Sequence, residues 1–340
     1  MDGVPFAFCE ALYSTLHTSE LGELSGHYGN IARNDYPNVA DYIDSVVDGH
    51  EKQGYLRYQS DGRKVRTPEE IEAVPKKSVR FVSILIDDGN KVNACREIVN
   101  RFPYSRYQFG LHSSSINEAW VDFACSLKRL NTVVVIKKLD EDAIPLFQKF
   151  VDGHKLSWLY VCEEACEGGM LALLKMLLCQ DQFPDLSIRN DLEGPWKSTV
   201  VRDLLHFWSV SSHKLRGTKF SVEHNCEGGV QQLEEFVLRR AAIITDDRNI
   251  PTIQEVLTRC SQEECDFLEK YYRLRSNCFK TPSCVYKFEE GTGDKRRKLY
   301  ISFECNHGKN RTTGRQYASC EGVDDLSLMR GTNSLRVLFF

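Results

Sequence analysis

A short apolar pattern that returns at nearly constant intervals constrains the fold of this chain more than any other sequence feature. In each copy, an apolar residue is followed by two more, at the third and fifth positions beyond it. The copies are Val79/Val82/Ile84, Tyr104/Tyr107/Phe109, Leu130/Val133/Val135, Leu156/Leu159/Val161, Phe183/Leu186/Ile188 and a weaker Gly217/Phe220/Val222. Their middle members are 25, 26, 26, 27 and 34 residues apart. Because leucine-rich repeats have periods of about 20–29 residues, the pattern predicts a leucine-rich-repeat-like solenoid.

A segment with helical periodicity follows each triplet. The segments are 91–102, 116–127, 140–151, 165–179, 198–209 and 228–240. Alternation of strands and helices indicates parallel strand pairing. Most of the strands alternate polar and apolar residues, which predicts one buried face and one face that is wet or partly wet, whereas a doubly wound sheet has nearly continuous apolar strands. We therefore predict an α/β fold with about six strand–helix units over residues 79–240.

The segments on either side of the array differ from it in pattern. Residues 1–50 have a thin apolar stripe at helical spacing and are predicted as a short helical segment. Residues 53–78 are predicted as a strand followed by a helix, because Thr67-Pro68-Glu69-Glu70 is a capping box with proline at the first helical position. This second segment would form a cap at the start of the array.

The C-terminal part, residues 253–340, is predicted as one helix followed by a small antiparallel β tail. The helix is expected over 253–273, and the strands over 284–288, 299–303, 327–330 and 335–340. The basic run 295–298 is expected on a solvated hairpin turn that faces Glu289 and Glu290. The apolar end of the chain, 337–340, needs a cover because exposed edge strands aggregate.

Composition limits the class of protein. The chain has 340 residues, of which 41% are hydrophobic and 27% charged, so disorder of the whole chain is not expected. A formal net charge of -4 gives no electrostatic reason to expect nucleic acid as a partner. The sequence contains no run of about 18 apolar residues, so it predicts no membrane span. Thirteen cysteines without a secretion signal indicate a reducing compartment, and we expect the cytoplasm or the nucleus.

The sequence predicts no enzyme, no cofactor and no metal site. The segment 291–295 lacks the spacing of a phosphate-binding loop and joins two predicted strands. The closest cysteine and histidine pairs are Cys162/Cys166, His224/Cys226, Cys278/Cys284 and Cys305/His307. A structural zinc site needs two close pairs such as C-x2-C, and none of these pairs has that spacing. Buried thiols are therefore the expected state of the cysteines.

The residues between the triplets are the candidates for binding. In the middle of the array they are apolar, and we expect Val134, Ile136, Trp158 and Tyr160 to lie side by side, with Arg189 at a charged rim. An exposed apolar patch with aromatic anchors is typical of a protein-binding site. The alternative is that the β tail or another segment covers these side chains and turns them into a second core. The sequence leaves both alternatives open.

The N-terminal motif resembles a divergent F-box. It consists of Val4-Pro5-x-x-Phe8-Cys9, with Leu12 and Leu16 in the first predicted helix and Leu21 and Leu24 in the next. The strand–helix repeats, the stretch 228–236 (GGVQQLEEF) and the tail segment 284–288 (CVYKF) are similar to the large nematode group of F-box and F-box-associated-domain proteins. This resemblance covers most of the chain.

The resemblance implies a substrate-recognition subunit of a cullin–RING (SCF-type) ubiquitin ligase. Its small adaptor subunit would bind to the residues that match the F-box, and a target protein of unknown identity would bind to the repeat array. The adaptor-binding residues would be Val4, Pro5, Phe8, Leu12 and Leu16, and the target-binding residues Val134, Ile136, Trp158, Tyr160 and Arg189. The alternative is a non-catalytic repeat scaffold that does not dock to a ubiquitin ligase.

Overall fold

A computed structural model divides the chain into two compact units, each with a mixed α/β structure. One unit comprises Met1–Val134 and Pro145–Lys155, and the other comprises Val135–Ile144 and Leu156–Phe340. The structure describes residues 36–87, 92–190, 196–245, 251–272, 285–291, 293, 296–303, 305–306, 318–319 and 326–340. The predicted fold class, α/β, is confirmed.

The first unit contains a mixed sheet and the helices that connect its parallel strands. Its elements are β1 (Ala40–Val47), β2 (His50–Glu51), β3 (Tyr55–Tyr58), β4 (Lys64–Val65), α1 (Pro68–Ala73), β5 (Val79–Ile86), α2 (Asn93–Arg101), β6 (Arg106–Leu111), α3 (Glu118–Ser126) and most of β7 (Leu130–Val135) and α4 (Ala143–Asp152). The strand order is β4-β3-β1-β5-β6-β7, and β2 pairs with β1. β1, β5 and β6 are parallel, whereas β3 and β4 form an antiparallel edge.

The second unit continues the alternation and then changes to antiparallel pairing. Its elements are β8 (Trp158–Cys162), α5 (Gly169–Leu178), β9 (Asp185–Arg189), α6 (Val200–Leu215), β10 (Lys219–Glu223), α7 (Glu227–Thr245), α8 (Ile253–Val256), β11 (Thr258–Arg259), α9 (Gln262–Tyr272), β12 (Val285–Glu290), β13 (Arg297–Phe303), β14 (Cys305–Asn306), β15 (Ala318–Ser319) and β16 (Ser334–Phe339). The strand order is β8-β9-β10-β16-β13-β12-β11, and β14 pairs with β15 separately. β8, β9 and β10 are parallel, and β16 pairs antiparallel with both β10 and β13.

The repeated triplets form the core beneath the helices. Sixteen of the eighteen positions are buried, and the exceptions are Tyr104, which is 58% exposed, and Gly217. Tyr104 lies in the turn before β6, where Phe102 is fully buried instead. Strand–helix alternation and parallel pairing are therefore confirmed for the array, while the solenoid remains a prediction.

The second face of the strands is less wet than predicted. Several of the residues between the triplets are buried, among them Ser83, Thr132, Asp185, Ser187 and Ser221. The prediction that solvent would cover this face is wrong at these positions. Hydrogen bonds and ion pairs must therefore compensate the burial of polar groups there.

The β tail does not form a separate sheet. β16 lies between β10 and β13, so both of its edges are paired and the apolar end of the chain has the cover that it needs. The predicted strand 327–330 is wrong, because Leu326–Gly331 is a 3-10 helix. Lys298 pairs with Glu289 at 3.0 Å, in agreement with the predicted contact between the basic run and Glu289.

The prediction of a helical segment over residues 1–50 is wrong at its C-terminal end. Ala40–Val47 is a β-strand that pairs parallel with β5 and antiparallel with β3. Only a short 3-10 turn, Tyr36–Asn38, precedes it in the described part of the chain. The F-box-like motif itself lies outside the described residues.

The predicted helix over 253–273 is two helices separated by a short strand. α8 ends at Val256 and α9 begins at Gln262, and β11 between them pairs with β12. The backbone N–H of Cys260 donates to the carbonyl of Val285 at 3.0 Å. By contrast, the strand over 53–60 and the helix after Thr67 are confirmed, and the Thr67 hydroxyl accepts from the N–H of Glu70.

Candidate functional site

Two aromatic side chains project from the same face of β8. Trp158 and Tyr160 alternate with Leu159 and Val161, which are fully buried beneath the helices. The two rings stack, with centroids 6.1 Å apart and an angle of 28° between their planes. Both are half-buried. They therefore keep part of their aromatic surface available for contacts outside the unit.

Arg189 on the neighbouring strand completes this group. In the parallel register, Tyr160 lies opposite Ser187, so Arg189 is two positions further along β9, on the same face of the sheet. Its guanidinium carbon lies 4.8 Å from the centroid of the Tyr160 ring, and its Nε is 3.2 Å from Oε2 of Glu223 on β10. Burial, followed by the charges of Glu223 and Asp185, raises the pKa of Tyr160. The phenol therefore stays neutral and acts as a contact surface and hydrogen-bonding group.

A buried ion pair lies beside Trp158. Asp185 Oδ2 is 3.2 Å from Nζ of Lys219, and the two side chains are only 10% and 12% exposed. Burial raises the pKa of Asp185, and Lys219 opposes the rise. The pair anchors one end of the face, because either charge alone would be costly to bury.

A row of three serines and one arginine crosses four strands next to Tyr160. The strand registers place Tyr160, Ser187, Ser221, Arg336 and Ser302 side by side on β8, β9, β10, β16 and β13. Ser187 and Ser302 are 2% and 0% exposed. Their hydroxyl oxygens have no hydrogen-bond partner within the described part of the chain. Buried hydroxyls of this kind need water or a ligand group as a partner.

Helix α9 covers only part of this face. Cys260, Cys265 and Leu268 pack on Val285, Tyr300 and Leu338, which belong to β12, β13 and β16. The β tail therefore extends the sheet at its edge, and α9 covers the tail strands. The sequence predicted that Trp158 and Tyr160 form either an exposed patch or a covered second core. In the structure they are half-buried, which is intermediate between these alternatives.

The structure brings three of the five predicted target-binding residues together. Trp158, Tyr160 and Arg189 are joined by direct ring and cation contacts, and we call them the aromatic–arginine group. Val134 and Ile136 are half-buried, but Val134 belongs to the first unit. The five predicted adaptor-binding residues, Val4, Pro5, Phe8, Leu12 and Leu16, lie outside the described residues.

The first unit contains a polar network that no sequence pattern indicates. The Tyr42 hydroxyl donates to Glu51 Oε1 and lies 3.0 Å from Asp44 Oδ2, and Arg101 binds both oxygens of Glu51 at 2.6 and 2.8 Å. A Cβ atom at Gly54 would lie 1.9 Å from the Tyr42 hydroxyl, so only glycine fits over the network. Glu51 and Arg101 are 50 residues apart in the chain, which is why spacing could not reveal the contact.

The carboxyl groups of this network have opposite pKa shifts. Burial and the nearby Glu51 raise the pKa of Asp44 to about 7. Burial acts in the same direction on Glu51, but hydrogen bonds from Arg101 and Tyr42 overcome it and lower its pKa to about 2. Opposite shifts also occur in acid–base catalysts. Here Tyr42 and Asp44 are 1% and 4% exposed, so a substrate does not reach the carboxyl group with the raised pKa, and we assign the network a structural role.

Of the cysteines that are close together in sequence, Cys166 and Cys226 are buried thiols and Cys162 is half-buried. Cys166 Sγ donates to the carbonyl of Cys162 at 3.5 Å, and Cys226 Sγ donates to that of Val222 at 3.2 Å. Burial raises the pKa of Cys166 well above its usual range, so this thiol is unreactive. Within the part of the chain that the structure describes, no three His, Cys, Asp or Glu side chains are grouped as metal ligands.

Comparison with known proteins adds no family. No family model, no curated protein and no solved structure matches this chain. Among the described helices, none is both long enough and apolar enough to cross a membrane.

Proposed function

We propose that this protein is a non-catalytic substrate-recognition subunit of a cullin–RING ubiquitin ligase, in the cytoplasm or the nucleus. The aromatic–arginine group carries the proposal, because it offers stacked, half-buried rings with an ion pair at the rim. Aromatic side chains and arginine are the residues that most often dominate the binding energy of protein interfaces. The N-terminal resemblance to an F-box supports the link to the ligase.

The proposed mechanism is positional. Residues 4–16, whose apolar side chains are spaced as on one helix face in the sequence, hold the small adaptor subunit, and the strand–helix array, built as a leucine-rich-repeat-like solenoid, holds the target protein. Ile136, which belongs to the same unit as the aromatic–arginine group, adds apolar surface to the target contact. Ubiquitin transfer takes place on other subunits, so this chain needs no catalytic residue of its own.

A pull-down with the purified adaptor subunit tests the ligase link. The full chain should retain the adaptor, and a chain lacking residues 1–35 should not. The deletion ends before β1, because removing Ala40–Val47 would also remove a strand from the sheet of the first unit. Phe8→Asp and Leu12→Asp in the full chain should abolish retention as well, since both place a charge on the proposed apolar face.

Two further results complete this test. The truncated chain should keep the cooperative thermal unfolding of the full chain, so that loss of the adaptor is not loss of folding. A full chain that does not retain the adaptor would overturn the ligase proposal and favour the repeat scaffold without ligase docking. The target-binding face would then need a partner of another kind.

A further inference from the structure

Strand β4 lies at a free edge of the sheet in the first unit. It is the last strand of its sheet order, and no described residue pairs with its outer side. The N–H of Tyr58 donates to the carbonyl of Arg63, and Leu56 pairs with Val65. Because antiparallel hydrogen bonds alternate along a strand, the N–H and carbonyl of Lys64, between these two pairs, point away from β3. This edge therefore has the backbone groups to accept a further strand.

The helices α1 and α2 lie on one side of this sheet. Tyr42 on β1 belongs to that side, because its hydroxyl accepts a hydrogen bond from Arg101 of α2 at 3.2 Å. The register pairs Tyr42 with Leu56 and Leu56 with Val65, so these residues share the side. Glu72 of α1 is 3.8 Å from Arg101, so α1 lies there too. Side chains that alternate with these residues along the strands therefore project from the opposite side.

That opposite side of the sheet is basic at this edge. The register places Lys64, Arg57 and Asp41 side by side on β4, β3 and β1. Further along the same row, Arg106 lies on β6. Arg57 Nη2 is 3.5 Å from Oδ2 of Asp41, which is 8% exposed. Among the described residues of β1, β3, β4, β5 and β6, Asp41 is the only carboxylate on this side, so three cations stand beside one carboxylate.

Two exposed cations mark the edge itself. Lys64 and Arg66 both lie over the ring of Tyr55 on β3, with Nζ and Cζ 5.1 and 5.8 Å from its centroid. Both are exposed, and neither forms an ion pair with a described residue. A cation–π contact orders a charged side chain and leaves its charge uncompensated. The edge therefore presents two positive charges next to its free backbone groups.

We propose that the outer edge of β4 binds an extended acidic segment of a partner protein. The segment pairs with the backbone of Lys64 and adds a strand to the sheet. Because side chains alternate along a strand, acidic residues at every second position of the segment meet Lys64 and Arg66.

Other occupants fit this edge less well. A second copy that pairs through its own β4 would bring the same positive charges to the contact, which is how charged edge strands prevent self-association. Nucleic acid offers phosphates to the cations, but its backbone has no amide groups with which to extend a sheet. An acidic strand satisfies both the charges and the backbone groups.

Three synthetic peptides test the edge on the full chain. Each has about nine residues, the length of an ordinary strand, and alternates threonine with a second residue. The second residue is glutamate in the first peptide and lysine in the second, and the third is the glutamate peptide with N-methylated backbone amides. Fluorescence anisotropy should show the first peptide binding at least about tenfold more tightly than either of the others, because lysine repels the edge and N-methylation removes the donors to β4.

Variants of the full chain locate the binding. Lys64→Glu and Arg66→Glu should each weaken the glutamate peptide about tenfold, and both side chains are exposed, so the fold should be kept. Lys64→Pro should weaken it more than Lys64→Ala does, because proline also removes the N–H that points to the free edge. Arg259→Glu is the matched control: it makes the same change of charge on the exposed β11, the terminal strand of the second unit, and binding should be unchanged. Trp158→Ala should also leave binding unchanged, which separates this edge from the aromatic–arginine group.

Several outcomes would overturn the inference. They are equal affinity for the glutamate and lysine peptides, equal affinity for the glutamate peptide and its N-methylated form, binding of none of the three, and binding that Lys64→Glu does not weaken. Tighter binding of an oligothymidylate of the same charge would also overturn it, because the occupant would then be nucleic acid. Self-association of the full chain in sedimentation that Lys64→Pro abolishes would do the same, because the occupant would then be a second copy of this chain.

Discussion

Tyr160 is the residue at which the aromatic, charged and hydroxyl-bearing parts of the sheet face meet. Its ring stacks on Trp158 and lies under the guanidinium of Arg189, and the strand register places it beside Ser187. A half-exposed cation–π contact stabilises by about 0.5–1 kcal/mol. The contact orders the tyrosine and arginine before a partner arrives, which lowers the entropy lost on binding.

Tyr160→Ala should separate binding from folding. We expect loss of target capture in a pull-down, because the stacked surface is removed, and a fall of less than about 2 kcal/mol in the free energy of unfolding, because the side chain is only half-buried. Leu159→Ala on the same strand is the matched comparison, since Leu159 is 0% exposed and its truncation should cost about 2–5 kcal/mol. Urea unfolding measures both values. If the two variants are destabilised equally, Tyr160 belongs to a core and not to a binding surface.

Asp44 gives the first unit a pH-dependent stability. Its folded-state pKa of about 7 lies above the ordinary value of 3.8, so the folded chain keeps a proton that the unfolded chain releases. Stability from this group is therefore present below about pH 4 and is lost as the pH rises towards 7. Glu51, with its pKa lowered to about 2, has the opposite effect: its contribution is present above its ordinary value of 4.5 and is lost as the pH falls towards 2.

Asp44→Asn should remove the loss of stability that deprotonation of Asp44 causes as the pH rises towards 7. The amide keeps the shape of the carboxyl group and does not titrate. At pH 7.5 the variant should be more stable than the parent by about 1–3 kcal/mol, and the difference should shrink as the pH approaches 4. Urea unfolding at a series of pH values measures this difference. Asp181→Asn, at an exposed position, should give no such pH-dependent gain; a parallel pair of curves for Asp44→Asn and the parent would contradict the assignment.

At the scale of elements, the parts of the fold that could be predicted are those whose local pattern and tertiary partners agree. Strands β5 to β10 each contain the second and third residues of a triplet, all of them buried, and each strand is followed by a helix, so pattern and structure coincide. Helix α1 was predictable for the same reason, because the hydroxyl of its capping residue, Thr67, accepts a hydrogen bond from the N–H of Glu70 in the same helix.

The strand β1 could not be predicted, because its charged residues are satisfied by distant partners. Asp41 accepts a hydrogen bond from the Gln59 amide at 2.7 Å, and Asp44 lies 3.0 Å from the Tyr42 hydroxyl, which itself accepts from Arg101, 59 residues further along the chain. In the sequence, both aspartates interrupt the apolar alternation that indicates a strand, and the remaining apolar residues fit a helix as well. Only pairing with β3 and β5 decides in favour of the strand.

Only the part of the candidate site that lies on a single strand could be predicted from the sequence. Trp158 and Tyr160 are large aromatic residues that alternate with the buried positions of one strand, so the local pattern predicts that they share its other face. The buried hydroxyls of Ser187 and Ser302 are ordinary in the sequence. They lie in one row only because β16 enters the sheet between β10 and β13, a crossover that no local pattern indicates.

At the scale of the molecule, the last strand of the chain is also an interior strand of the second unit. β16 forms five paired positions with β10 and five with β13. Parallel strands from the array and antiparallel strands from the tail are therefore joined through residues 334–339. The second unit can complete its sheet only when the C-terminus is in place, which makes its folding depend on contacts far apart in sequence.

Removing β16 should open the second unit and adding it back should close it. A chain that ends at Gly331 loses the partner of β10 and β13, so their amide hydrogens should exchange rapidly and the exposed edges should promote aggregation.

A synthetic peptide of residues 332–340 should restore protection by strand addition. The same peptide with Val337→Asp should not, because Val337 is 0% exposed and the charge would be buried without a partner. Hydrogen exchange read by mass spectrometry distinguishes these results; undiminished protection of β10 and β13 in the shortened chain would show that β16 is an accessory to the sheet and not its junction.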